Sequence, residues 1–215
     1  MAGEAPTRIL LVRHGATTST ADDRFAGSSD VELSPDGVVQ LTKLSQRLAQ
    51  VRIDAAYCSH MHRAIASAAI VAKPHGITPT AWRDLREIDH GHWEGVPHKE
   101  VAQKFADEYA AWSADPVNTR IPGGESGRDV LVRAKAAMER IVRDHAGQTV
   151  LVVSHKATNR LLLADWLAFD PRRYRDRLAQ DLACLNIVLF RGGGVGGAGP
   201  QTQLVNDTSH YAAIK

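Results

Sequence analysis

Arg8-Ile9-Leu10-Leu11-Val12 runs directly into Arg13-His14-Gly15. A short aliphatic run without polar alternation is what a strand covered on both faces requires. Residues 149–153 repeat the pattern and lead into Ser154-His155-Lys156, and residues 53–59 read as another strand leading into His60. Helical signals lie between these runs. Ser34-Pro35-Asp36 starts a helix: Ser can cap, Pro lacks the N–H that would be wasted, and Asp suits the positive end. Val38, Leu41, Leu44 and Leu48 follow at helical spacing. Residues 61–73 read as a helix closed near Pro74 and Gly76. Ser126, with Asp129 three residues on, opens a helix whose buried face is Val130, Ala134, Ala137, Ile141 and Val142. Residues 100–112 and 156–168 add two helices. Residues 77–82, 185–190 and 203–205 add strands, the last two joined by the glycine-rich 192–197. The alternation predicts an α/β three-layer sandwich, with a mostly parallel central sheet and helices on both faces.

The chain has 215 residues, 44% hydrophobic and 23% charged, which suits a globular core and excludes disorder as the main state. We expect one domain over residues 1–215, with a cap-like insertion around 91–124. Lys plus Arg number 26 against 24 Asp plus Glu, a balance that does not point to nucleic acid. Apolar runs are too short for a membrane span, and residues 1–6 lack a basic start with an apolar core behind it. Cys58 and Cys184 sit in apolar surroundings and read as buried thiols, so a cytoplasmic, reducing setting is expected. Leu161-Leu162-Leu163 fits either core or a subunit interface, which leaves a homodimer open.

In open α/β sheets, ligands bind beyond the carboxyl ends of the strands. That rule brings two histidines and two arginines, His14, His155, Arg13 and Arg63, toward one end of one sheet. Arg presents a planar fork of donors that matches phosphate oxygens. A neutral imidazole has a free nitrogen that can attack phosphorus. Phosphoryl transfer needs positioning and neutralisation of spread negative charge, which two Arg and a second His supply. A leaving alkoxide needs a proton, so a carboxylic acid near the rim is required. Glu87, in Leu85-Arg86-Glu87-Ile88-Asp89-His90-Gly91, is the candidate, with Asp89 in reserve.

Seven motifs then occur in order: Leu11-Val12-Arg13-His14-Gly15, Arg24-Phe25-Ala26-Gly27, Leu33-Ser34-Pro35-Asp36-Gly37, Ser59 through Arg63-Ala64, Glu87 through Gly95, Gly123-Gly124-Glu125-Ser126, and Val152-Val153-Ser154-His155. With them the chain resembles the histidine phosphatase superfamily, the cofactor-dependent phosphoglycerate mutase-like proteins, on its phosphatase branch. The resemblance implies that His14 is the phosphorylated nucleophile and that Arg13, Arg63 and His155 bind the phosphoryl group. It implies that Glu87 protonates the leaving oxygen and then helps activate water. Thr17, Thr20 and Gly27 match pocket-lining positions, His90 would face the substrate, and residues 206–210 match a tail near the site mouth. No metal and no other cofactor is implied; the partner is a small phosphate ester. The chain departs from the pattern at Thr20, at Ser59-His60-Met61-His62 and at Lys156, which stands where Gly is frequent and adds positive charge for an acidic substrate.

Other readings compete. His60 with His62, and His90 with His92 and His98, could suggest a metal site, but no Cys or carboxylate accompanies them at ligand spacing. The glycine-rich 192–197 lacks the Gly-Lys-Ser/Thr of a phosphate loop. The tryptophans read as packing, with Trp93 the one that could meet substrate. The expected function is a metal-independent phosphomonoesterase acting on phosphoserine, phosphoglycerate or sugar-phosphate type metabolites through a phosphohistidine. Phosphoglycerate mutase-type transfer is the first alternative, and a non-catalytic phospho-ligand binding module the second.

Overall fold

In the computed structural model, the structure describes residues 5–19, 23–191 and 199–212. The sheet has six strands: β1 Thr7–Arg13, β2 Ala55–Ser59, β3 Thr80–Trp82, β4 Thr149–Ser154, β5 Leu185–Phe190 and β6 Gln201–Asp207, in the order β3-β2-β4-β1-β5-β6. β1 pairs in parallel with β4, with His14 and His155 following the aligned ends Arg13 and Ser154. β2 is parallel to both β4 and β3, whereas β5 is antiparallel to β1 and β6. The helices are α1 Pro35–Leu48, α2 His62–Ala72, α3 His98–Lys104, α4 Ala106–Ala114, α5 Gly127–Asp144, α6 Lys156–Trp166 and α7 Tyr174–Arg177.

The strand period of two divides the central strands between two cores. Ile9 and Leu11 of β1, with Val150 and Val152 of β4, meet Val130, Ala134 and Ile141 of α5 and Leu161–Leu163 of α6. Leu10, Val12, Leu151 and Val153 face the other way, onto Leu41, Leu44 and Leu48 of α1 and Ala64, Ala68 and Val71 of α2. These are the three expected layers. Leu161, Leu162 and Leu163 are fully buried within the chain, so they belong to its core and offer nothing to a second subunit. Both cysteines are free and buried. Among the described residues, no helix is long and apolar enough to cross a membrane.

Three expectations are corrected. Val38 is exposed; Gly37 takes its place on the packed face of α1, because a Cβ there would stand 2.1 Å from the Ala16 carbonyl oxygen. The single helix expected over 100–112 is two, broken at Phe105 (φ −125°, ψ 46°), and the break turns Phe105 and Tyr109 toward Phe25, Trp93, Val101, Trp112 and Ile121. The helix expected to reach 168 ends at Trp166, as Ala168 adopts a left-handed φ of 55°. Ser126 and Asp129 form the full reciprocal capping box of α5.

Candidate active site

The carboxyl ends of β1 and β4 set the site. The His14 Nδ1 lies 2.8 Å from the Gly15 carbonyl oxygen, which can only accept. Nδ1 therefore carries the proton, and Nε2 keeps its lone pair. Burial first, then the charges of Arg13 and Arg63, hold His14 well below the usual imidazole range, so the ring is neutral near pH 7. His155 immediately precedes α6, its ring centroid 5.1 Å from that of His14. Its Nδ1 accepts from Arg63 Nε at 3.3 Å, which leaves the proton on Nε2. That N–H is buried without a protein partner among the described residues. Burial, then Arg63 and His14, hold this ring well below the usual range too.

Arg63 stands in the first turn of α2 and is itself aimed by carbonyls: Nη1 donates to Ser29 O at 2.7 Å and Nη2 to Gly27 O at 2.9 Å. Arg13 Nη1 donates to Gln180 O at 2.7 Å, and its Nε is buried without a partner. Burial pulls both guanidinium groups down from their usual value. Buried Nε–H and imidazole N–H groups without protein acceptors, gathered beside two guanidinium groups, suit an anion.

Glu87 reaches the first turn of α6 from the loop after β3. Its carboxylate accepts from the backbone N–H of Ala157 at 3.1 Å and of Thr158 at 3.2 Å. Those N–H groups have no partner inside their own helix, so a carboxylate from another segment does the work of a cap. Arg133 steadies the loop, donating to Glu87 O at 3.1 Å while pairing with Glu125. Asp89, the reserve acid, instead accepts from Gly91 N.

The cup opens into a cavity of about 540 Å³, lined by Arg13, His14, Arg63 and Glu87 and further by Thr17, His90 and Lys156. His155 is fully buried beside His14. Gly27 stands one layer back, holding Arg63 by its carbonyl, its N–H donated to Glu94 at 2.9 Å. Thr20 lies outside the described residues. His90 packs edge-on against Phe25. Trp93 is fully buried away from the cavity, and Trp112 reaches it instead. The tail, expected near the mouth, does not line the cavity: Asp207 and Ser209 are held by Arg47 on α1. Of the histidines that could suggest a metal site, His62 lies 3.3 Å from Asp30 and His92 3.1 Å from Glu108. Among the described residues no group of three or more His, Cys, Asp or Glu is placed to hold a metal ion.

Sequence reasoning missed Arg160, Tyr174 and Arg175, which also line the cavity. Arg160 follows Lys156 by four, a helical spacing that could have revealed it. Arg175 sits on the four-residue α7, too short to leave a periodic signal.

Fold and cup together define an α/β protein with a neutral histidine set in a cationic recess at the carboxyl edge of its sheet. The model of the histidine phosphatase superfamily (branch 1) matches residues 9–205, and the chain belongs to that superfamily. It is thereby an enzyme of the phosphatase class. Phosphoserine phosphatase 1 of Hydrogenobacter thermophilus is 30% identical over 167 residues, 78% of this chain and 79% of that protein. A bifunctional protein of Mycobacterium tuberculosis is 35% identical over 207 residues, 95% of this chain but 55% of the relative, so the chain spans about half of that protein. Among solved structures, Bacillus stearothermophilus YhfR superimposes with a TM-score of 0.86 at 29% identity, covering 95% of this chain and 98% of that one.

Proposed function

We propose that the chain hydrolyses small phosphate monoesters, without a metal, through a phosphohistidine at His14. The observation that carries this is the fixed tautomer of His14: Nδ1 is committed to Gly15 O, so a neutral Nε2 lone pair is available inside a ring of cationic donors. Nε2 attacks phosphorus, and the bond from phosphorus to the ester oxygen breaks. Arg13, Arg63 and the His155 Nε2–H receive the negative charge that spreads over the phosphoryl oxygens. Glu87 gives its proton to the departing alkoxide. The same carboxylate then accepts a proton from water, whose oxygen displaces the imidazole from phosphorus. Orthophosphate leaves, and neutral His14 is restored.

Similarity to a phosphoserine phosphatase supports phosphoserine-like esters as first substrates to test. We take residues 1–215 as one domain and the segment 91–124 as a cap, a reading supported by His98 and Trp112 reaching the cavity wall. Two buried thiols support a reducing, cytoplasmic setting. In the mutase alternative the phosphoryl group returns to the substrate instead of passing to water. The adjacent Arg pair expected of mutases does not occur between Glu87 and Gly123, so we put hydrolysis first, and product analysis separates the two.

The test is acid-free trapping of label from a radioactive ester. We expect a phosphoenzyme in the native protein, none in His14→Ala, and full turnover with a chelator present. Activity lost to chelator and restored by added metal would contradict the reading. Conversion of 3-phosphoglycerate to 2-phosphoglycerate with a bisphosphate primer would favour the mutase.

A further inference from the structure

The catalytic cup occupies one end of the cavity. Beyond it, α6 presents Lys156 in its first turn and Arg160 four residues on, one helix face turned to the cavity. Arg175 of α7 adds a third cation, its guanidinium carbon 3.9 Å from the centroid of the Trp112 ring. Several buried or half-buried cations outside the cavity, such as Arg86 and Arg133, each bind a carboxylate. Among the described residues, Lys156, Arg160 and Arg175 form no salt bridge, and Arg160 Nε is buried without a hydrogen-bond acceptor. Burial, then the charges of Arg160 and Arg13, pull the Lys156 ammonium below its usual range, a crowding that an incoming anion relieves.

The charge balance points the same way. Six Lys and Arg side chains line the cavity against three carboxylates, and of these Asp176 is already paired with Arg173 at 3.1 Å. With every carboxylate counted as charged and the histidines neutral, the lining carries a formal surplus of three positive charges, a minimum that a proton on Glu87 would raise. A phosphate monoester dianion answers two of them and leaves one.

We propose that Lys156, Arg160 and Arg175 form a second anion subsite, which grips an acidic group on the alcohol half of the ester and selects multiply acidic phosphate monoesters. The catalytic assignment above is its starting point. The unpaired fork of Arg160 suits a carboxylate or a second phosphate, and Arg175 is held in place by stacking on Trp112.

The experiment compares kcat/KM for phenyl phosphate, 3-phosphoglycerate and 1,3-propanediol bisphosphate, in the native chain and in Arg160→Gln, Arg175→Gln and Arg160→Lys. Binding of the same esters to His14→Ala is measured by calorimetry. We expect the acidic esters to be favoured, the preference over phenyl phosphate to fall about tenfold or more in each Gln variant, and Arg160→Lys to recover much of it. Raised ionic strength should shrink the preference. The two acidic esters distinguish a carboxylate subsite from a phosphate subsite. A native preference for phenyl phosphate, or a preference that neither Gln variant changes, overturns the proposal. If nothing is hydrolysed but binding to His14→Ala still tracks Arg160, the subsite stands and the phosphatase mechanism falls.

Discussion

His14 has one ring nitrogen already committed, and the consequence is chemical. With Nδ1 donating to a carbonyl, only Nε2 keeps a lone pair, and in the proposed mechanism that nitrogen is the nucleophile. Asn keeps a polar group of similar reach but has no lone pair able to attack phosphorus. His14→Asn should lower kcat by on the order of 10³-fold or more, with steady-state assay and phosphoenzyme trapping as the readouts. Arg63 illustrates a different demand. Its three nitrogens meet Gly27 O, Ser29 O and His155 Nδ1 at once, a fork that Lys cannot reproduce. Arg63→Lys keeps the charge and loses the geometry, so we expect kcat to drop roughly 10²-fold. Retention of native kcat would show that charge alone suffices.

Some elements owe their ends to residues from elsewhere in the chain and others to their own first turn. The N-terminus of α6 is capped by Glu87, about seventy positions away, so the acid is held by the helix that carries Lys156 and Arg160. The N-terminus of α5 is capped locally, with Ser126 N donating to Asp129 at 2.8 Å and Ser126 Oγ accepting in return. Ser126→Ala should therefore destabilise the fold by about 1 kcal/mol, seen as a lower Tm with kcat nearly unchanged. The local signal for α5 was plain in the sequence because both members of the box lie within one turn. The break between α3 and α4 was not, because Phe105 leaves the helix to satisfy an aromatic cluster assembled from distant segments.

At the scale of the whole molecule, burying neutral histidines ties stability to pH. His14, His155 and His90 are all pulled below the ordinary imidazole value of 6.5, chiefly by burial, and His210 is pulled to about 4. Below pH 6.5 the unfolded chain takes up protons that the folded chain refuses, so stability must fall as pH drops. His210 contributes its part of that loss between 6.5 and about 4. Asp207, held at about 2, acts only below its ordinary value of 3.8. Melting temperature should therefore decline from pH 7 to pH 4 under the control of histidines, and His210→Gln should flatten the slope. A flat profile in the native chain would contradict the buried, neutral assignments.

Much of this was settled within the chain. Leu10, Leu11, Val150 and Leu151 have no polar alternation, and only a strand covered on both faces accommodates that, so the layered architecture followed from hydrophobic patterning. Arg13, His14 and His155 were legible too, because residues following the buried strands of an open α/β sheet come out at one edge. Glu87 was visible as a carboxylate in a loop, but its place at the start of α6 depends on contacts between segments far apart. Packing alone decided that Gly37 rather than Val38 faces the core, that Trp112 rather than Trp93 reaches the cavity, and that the tail binds α1. Arg175 entered the cavity through a four-residue helix with no periodicity to read. Local pattern reports which face an element buries; which side chains share a cavity is set by how the elements pack.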